Sequence, residues 1–280
     1  MESTVRRRAP LRRGIVLLLA VGVGMLAFGA ANATAKPLAH GDFVHVTRHF
    51  NANQSNNWFG YNQGTLEQGS KLFHSITGDW TVPTATQHTA GQDESSSDWI
   101  GIGGGCIDAA CSLTDSTLIQ TGTEQDVSGG KASYSAWWEL VPVPSLTISN
   151  FTVQPGDHMH ASISETVAGS DVWNITIQDV TRGESFSTTV PYPSTHTTAE
   201  WIEETPLTIG TGGAGLAALP NLSTTPFTSA TTNGANAGLK PSEEMQLIDS
   251  NSNVIGSPSA PNSTADGFNA CAWATSCPAP

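Results

Sequence analysis

Cations are scarce in this sequence. Of 280 residues 11 are Lys or Arg, against 24 Asp and Glu. Five of those cations, Arg6, Arg7, Arg8, Arg12 and Arg13, stand in the leading segment, leaving six for the rest of the chain. A nucleic-acid binder neutralises phosphates with clustered Lys and Arg, and this chain has no such cluster beyond its first residues. Also missing is any long stretch with apolar residues at helical spacing, which argues against a helical fold. There is no Gly-x-Ser-x-Gly elbow, no His-Glu-x-x-His and no phosphate-binding glycine loop. The 8 histidines sit in no motif that would activate a serine.

The shortage of bases carries its own message. Near about pH 3 to 4 carboxylates lose much of their charge while every Lys, Arg and His stays positive. A chain with few bases therefore repels itself little in acid. Acidic composition is also common among exported proteins, so this reading needs support from elsewhere.

The leading arginines precede an apolar run from Gly14 to about Ala30 that ends in Ala33-Thr34-Ala35. A basic start, an apolar middle and small residues at the end predict a signal peptide over residues 1–35. The run is glycine-containing and shorter than the roughly 20 apolar residues a membrane span needs. No second membrane segment follows, so the expectation is an extracellular protein with no membrane attachment after cleavage, and a monomer. Residues 36–56 are polar and carry His40, His45, Arg48 and His49. They read as a loose arm or short pro-segment. Its cations would pair with cleft carboxylates at neutral pH and let go in acid; the alternative is a terminus with no role.

Cysteine is sparse as well, with 4 in all. They form two close pairs, Cys106 with Cys111 and Cys271 with Cys277. In a chain bound for an oxidising space, two local disulfides are the simplest of the three connectivities. Neither pair has a partner at zinc-like spacing, so neither metal nor cofactor is expected.

From Trp58 onward, clusters of Gly, Ser, Thr, Asn and Pro punctuate short stretches rich in Val, Ile, Thr and Trp. Predicted strands run over residues 79–82, 97–102, 116–121, 132–141, 158–167, 172–179, 184–190, 199–204, 245–248 and 268–273. In the fifth, His158, His160, Ser162 and Ser164 fall on one face and Met159, Ala161 and Ile163 on the other. Residues 206–238, rich in Gly, Thr, Ala and Asn, read as a long surface loop with a short strand near its middle. The fold class is all-β, a single two-sheet sandwich or barrel over residues 57–280.

Six short segments follow in a fixed order: Asn57-Trp58-Phe59-Gly60, Trp80-Thr81-Val82-Pro83, Trp99-Ile100-Gly101-Ile102-Gly103-Gly104, Leu118-Ile119-Gln120-Thr121-Gly122, Ala136-Trp137-Trp138-Glu139 and Ala199-Glu200-Trp201-Ile202-Glu203-Glu204. Together they resemble the glutamic peptidases, the eqolisin family. The resemblance implies an acid endopeptidase on an antiparallel, concanavalin-like jelly-roll sandwich, with a glutamine and a glutamate as catalytic dyad and polypeptides as substrates. Carried over by motif, the dyad is Gln120 and Glu204. Strand alternation distinguishes Glu204 from its neighbour: Glu200, Ile202 and Glu204 share one face, Trp201 and Glu203 the other. The resemblance also implies that Trp58, Trp99 and Glu139 line the cleft, with Trp137 on the same strand face as Glu139. Glu124 stands where the family pattern has Asp. Trp80, Trp138, Trp173, Trp201 and Trp273 are expected in the sandwich core. Gly103 replaces an expected acid, and Leu140-Val141-Pro142 replaces an expected aromatic, which leaves cleavage preference open. The local Cys106 and Cys111 pair and the short basic leader suggest a bacterial branch.

The chemistry of such a pair is intelligible without the family. A glutamine amide offers an acceptor oxygen and two N–H donors at any pH. A carboxylate beside it, with an ordinary pKa of about 4.3, can take and return a proton near pH 4. Either the glutamate starts ionised and accepts a proton from water, or it starts protonated and donates to the carbonyl. Two other classes compete: a lectin-like carbohydrate-binding module, and a glycoside hydrolase pairing Glu139 with Glu204.

Overall fold

The computed structural model describes residues 43–45, 49–210 and 213–280, and the account below concerns those. The predicted leader lies outside them. The principal strands are β1 (Trp58–Gly64), β2 (Ser75–Thr81), β3 (Glu94–Gly103), β4 (Leu118–Ser128), β5 (Lys131–Leu140), β6 (His158–Glu165), β7 (Val172–Asp179), β8 (Glu184–Pro191), β9 (Thr198–Glu204), β10 (Thr225–Thr232), β11 (Glu244–Ile248), β12 (Val254–Pro258) and β13 (Phe268–Ala272).

One sheet runs β5–β4–β3–β9–β1–β11, every pairing antiparallel. The second runs β10–β2–β6–β7–β8, again antiparallel. Strands β12 and β13 link β11 to β10 and carry the pairing around one edge of the sandwich. The architecture is the two-sheet antiparallel sandwich expected from the sequence.

Alternation explains the second sheet. In β6, Met159, Ala161 and Ile163 are buried; in β7, Trp173, Ile175 and Ile177 are. These side chains meet Ile100, Ile102, Ile119, Ala136 and Trp201 of the first sheet in one core. The intervening polar residues stay partly exposed, as on a sheet with one wet face. The first sheet is covered on both faces. Every residue of β3 and β9 is buried, and a second apolar cluster of Trp58, Trp99, Leu118, Trp137, Ile202 and Met245 lies on the face away from the core.

Two expectations need correction. Residues 206–238 are not mainly surface loop: they contain a hairpin of Leu207–Gly210 with Gly213–Leu216, and the eight-residue β10 in the second sheet. Trp273 is not core. It is 40% exposed, stacks on His88 and donates its indole N–H to the Pro220 carbonyl. Trp80, Trp173 and Trp201 are buried in the core as expected, and Trp138 packs partly buried against it. Disulfides join Cys106 to Cys111 and Cys271 to Cys277.

Candidate active site

Sheet register brings the sequence-predicted residues onto one face. Gln120 on β4 stands opposite Gly101 of β3 and Glu139 of β5. Glu204 on β9 stands opposite Ser97 of β3 and Trp58 of β1. Glu124 stands opposite Ser97 and Ser135, and Trp137 and Trp99 flank Gly122 from either side. All of these positions share the face of the second apolar cluster. Gly122 makes the crowding feasible, since a Cβ there would come within 2.5 Å of the Trp99 Cβ.

Glu204 is fully buried. Its Oε1 accepts a hydrogen bond from Asn57 Nδ2 at 3.1 Å and its Oε2 one from Trp99 Nε1 at 2.8 Å. Burial raises its pKa well above the ordinary carboxylate range, with the Trp99 and Asn57 donors pulling the other way. Trp58 packs edge-on against Trp99, ring centroids 4.8 Å apart. Trp137 is held from behind by the bond from its Nε1 to Ser97 Oγ at 2.9 Å.

Gln120 is also fully buried and its Nε2 donates to Glu139 Oε2 at 2.9 Å. Its Oε1 meets no donor among the described residues. Glu139 is 1% exposed, and burial pushes its carboxyl up to about 7, against the pull of His45. The proximity of Glu204 adds to the upward shift, and the Gln120 donor opposes it.

What links the two halves is a residue of the N-terminal arm. Phe43 and Val44 pair antiparallel with Thr208 and Leu207, and Phe43 O accepts from Ser145 N at 3.2 Å. His45 follows, with no exposed surface. Its N–H donates to Glu139 Oε2 at 3.1 Å, its carbonyl accepts from Gln120 Nε2 at 2.9 Å, and its Nδ1 lies 2.9 Å from Glu204 Oε2. The imidazole stacks flat on Trp137, centroids 3.9 Å apart. A stretch of backbone thus lies across the face like an added strand, the usual way an extended peptide binds a sheet edge or cleft.

Asn57 belongs to the first of the six segments, and its contact with Glu204 shows why that position is polar. The arm is basic, yet nothing in its composition singles out His45. Glu203 points to the other face, where Thr225 Oγ1 donates to it at 3.0 Å and Asp98 stands opposite. Away from the cleft, His74, Glu165 and His196 bring ligand-type atoms within 4.8 Å of one another. There Glu165 already accepts from the N–H groups of Gly169 and Asp171 at 2.7 and 2.8 Å and lies 2.6 Å from His74 Nδ1.

Fold and site together define a β-sandwich with an acid-lined, aromatic-walled cleft that accommodates extended backbone. Solved structures of the same architecture include scytalido-glutamic peptidase with a transition state analog inhibitor, TM-score 0.60 at 19% identity over 78% of this chain and 98% of that one. Another is aspergilloglutamic peptidase from Aspergillus niger, TM-score 0.53 at 24% identity over 64% and 99%. Among curated proteins, Aspergillopepsin-2 of Aspergillus niger is 26% identical over 192 residues, which cover 61% of this chain and 64% of that protein's length. The model of the Peptidase A4 family matches residues 56–266. The chain belongs to the Peptidase A4 family.

Proposed function

We propose that the protein is an exported, acid-active endopeptidase that hydrolyses peptide bonds with Gln120 and Glu204 and a water between them. The observation that carries this reading is the seat of His45. A backbone carbonyl rests on the Gln120 amide while the Glu204 carboxyl reaches the same residue. With a substrate peptide in that position, Gln120 Nε2 polarises the carbonyl and stabilises the developing oxyanion. The unengaged Gln120 Oε1 and the Glu204 carboxylate hold the attacking water. Water's oxygen bonds to the carbonyl carbon and its proton passes to Glu204. Glu204 then returns that proton to the leaving nitrogen as the C–N bond breaks. The amide already occupies the carbonyl, which supports the order in which Glu204 first acts as base toward water.

Glu139 fixes the Gln120 amide and receives a substrate N–H, the part it plays toward His45. Its pKa of about 7 keeps it neutral in acid with the cleft filled. Trp58, Trp99, Trp137 and Glu124 shape the cleft walls. A sugar-binding cleft would offer open aromatic platforms; here Trp58 packs edge-on against Trp99, whose indole N–H is committed to Glu204, which weighs against the carbohydrate-binding alternative. The acidic composition and the leader over residues 1–35 support work outside the cell, and the leader with the local Cys106–Cys111 disulfide supports a bacterial member of the family. No metal or cofactor enters the mechanism.

The test uses denatured casein at about pH 3 to 4, where a carboxyl opened to water by an emptied cleft changes state, with pepstatin as control. Pepstatin-insensitive cleavage that disappears in Glu204→Gln is the expected result. Cleavage retained by that variant would overturn the dyad.

A further inference from the structure

Three segments remote in sequence meet at the end of the sandwich away from Glu204. His74 precedes β2, Glu165 is the last residue of β6, and His196 stands two residues before β9, at whose far end Glu204 lies. β2 and β6 belong to the second sheet and β9 to the first, so the junction spans the sandwich. The main chain ties it together: Glu165 N donates to the His74 carbonyl and Phe73 N to the His196 carbonyl, each at 2.9 Å.

The side chains converge as the backbones do. His74 Nδ1 is 2.6 Å from Glu165 Oε2, and His196 Nε2 is 3.3 Å from Glu165 Oε1. One ligand-type atom from each residue lies within 4.8 Å of the other two. Atoms about 2.0–2.1 Å from one tetrahedral ion stand roughly 3.3 Å apart, so small ring movements bring all three onto a single ion. His196 is only 8% exposed, and its buried Nε2 makes no hydrogen bond among the described residues; the Glu165 oxygen is close to it but out of line. A buried nitrogen without a partner costs free energy that a bound ion recovers. Glu165 is oriented in advance, since the N–H groups of Gly169 and Asp171 each hold one of its oxygens, at 2.7 and 2.8 Å, and leave a second lone pair on each. Metal-binding carboxylates are fixed by outer hydrogen bonds of this kind. The His74 side chain is 32% exposed and gives an ion a way in.

We infer that His74, Glu165 and His196 bind one divalent ion of the zinc type, through His74 Nδ1, His196 Nε2 and a Glu165 oxygen, and that the ion clips the two sheets together. Two nitrogens and one oxygen suit zinc and its transition-metal neighbours, whereas calcium and magnesium take shells of oxygen. Both imidazoles bind as neutral bases, His74 with its proton on Nε2 and His196 with its proton on Nδ1. Water on the exposed side of His74 completes the coordination. Because the ligands come together only in the folded chain, binding stabilises the fold. The site is independent of the proposed dyad.

The test takes the full chain without a polyhistidine tag, strips it with EDTA, removes the chelator, and titrates it with zinc chloride at about pH 7.5, where histidine is neutral. Calorimetry and thermal melts are the readouts. One zinc per chain is expected, with Tm raised by about 5 °C or more once free zinc is a hundredfold above Kd. His74→Ala should weaken binding at least about 100-fold, since it removes a ligand outright. His160→Ala, which takes a histidine from the Asp79 group elsewhere on β6, should bind zinc like the parent. Cobalt reads the coordination on the unaltered chain, so a poorly folding His74→Ala does not remove the test: a four-coordinate visible spectrum, lost as one equivalent of zinc is added, is expected. No saturable binding, a six-coordinate cobalt spectrum, equal affinity in a folded His74→Ala, or binding lost in His160→Ala would each overturn the site. None of these outcomes bears on casein cleavage in acid, so the metal site and the peptidase reading fail separately.

Discussion

Glu203 and Glu204 are neighbours in the chain and strangers in the structure. Strand alternation sends one between the sheets and the other into the cleft, and this separation was legible in the sequence because it needs only a period of two. It has a direct consequence for activity. Glu203→Gln should cleave casein within about threefold of the parent, because its carboxyl touches Thr225 and faces Asp98, not the cleft. Gln120→Ala, by contrast, removes the amide that holds the carbonyl and should lower kcat by about 100- to 1,000-fold with little change in KM, the signature of a transition-state donor. A Gln120→Ala variant that loses only substrate affinity would assign the residue to binding. The contribution of His45 was not legible, since one histidine among several in a polar arm carries no local signal; only the folded register places its carbonyl on Gln120.

At the scale of strands, sequence legibility followed exposure. β6, β7 and β8 have one wet face, and their alternating pattern gave their positions to within two residues. β3 and β9 are buried on both faces, so their composition could not say which side held the cleft. β10 reads only as a short strand within a loop because its register shifts between Thr228 and Thr231, breaking the alternation, and because Thr, Ser and Ala mark loops as readily as strands. Between β3 and β9 lies a pair that nothing in the sequence singles out. Asp98 and Glu203 stand opposite one another, both fully buried. Burial pushes Asp98 up to about 6, with Gln125 Nε2 donating to it at 2.7 Å, and burial with the adjacent Asp98 raises Glu203 well above its usual range. Two such acids in one dry site are best accommodated with a proton present. A raised folded-state pKa means stability that is complete below the unfolded value and lost as pH rises through the folded one. Asp98→Asn should therefore leave Tm nearly unchanged at about pH 4 and raise it at about pH 8 by at least roughly 2 °C, the shift that 1 kcal/mol gives in a domain of this size. Thermal melts at the two pH values decide it; an equal effect at both would mean that packing, not charge, governs the pair.

The same sign governs the whole molecule. Glu139 is raised to about 7 and Asp98 to about 6, and Glu200, Glu203 and Glu204 are raised well above the ordinary carboxylate range, all chiefly by burial. At neutral pH the folded state holds protons that the unfolded chain would release, so stability falls as pH rises through that range. Melting temperature should be higher near pH 4 than near pH 8, the reverse of a protein held together by ionised carboxylates. Glu165 sets the lower boundary. Burial opposes its ionisation, but the N–H groups of Gly169 and Asp171 and the imidazoles of His74 and His196 outweigh that cost and hold its pKa at about 2. A depressed pKa contributes stability above the unfolded value of 4.5 and loses it as pH falls toward 2. The two sets leave a common window at about pH 3 to 4, where Asp98, Glu139, Glu200 and Glu203 are protonated and Glu165 keeps most of its charge. Glu165→Gln should accordingly lower Tm at pH 4 and above, with the gap closing toward pH 2. A gap that stays constant down to pH 2 would show that Glu165 acts through shape alone, and the acid tolerance would then rest on the buried, protonated carboxyls around the cleft and between the sheets.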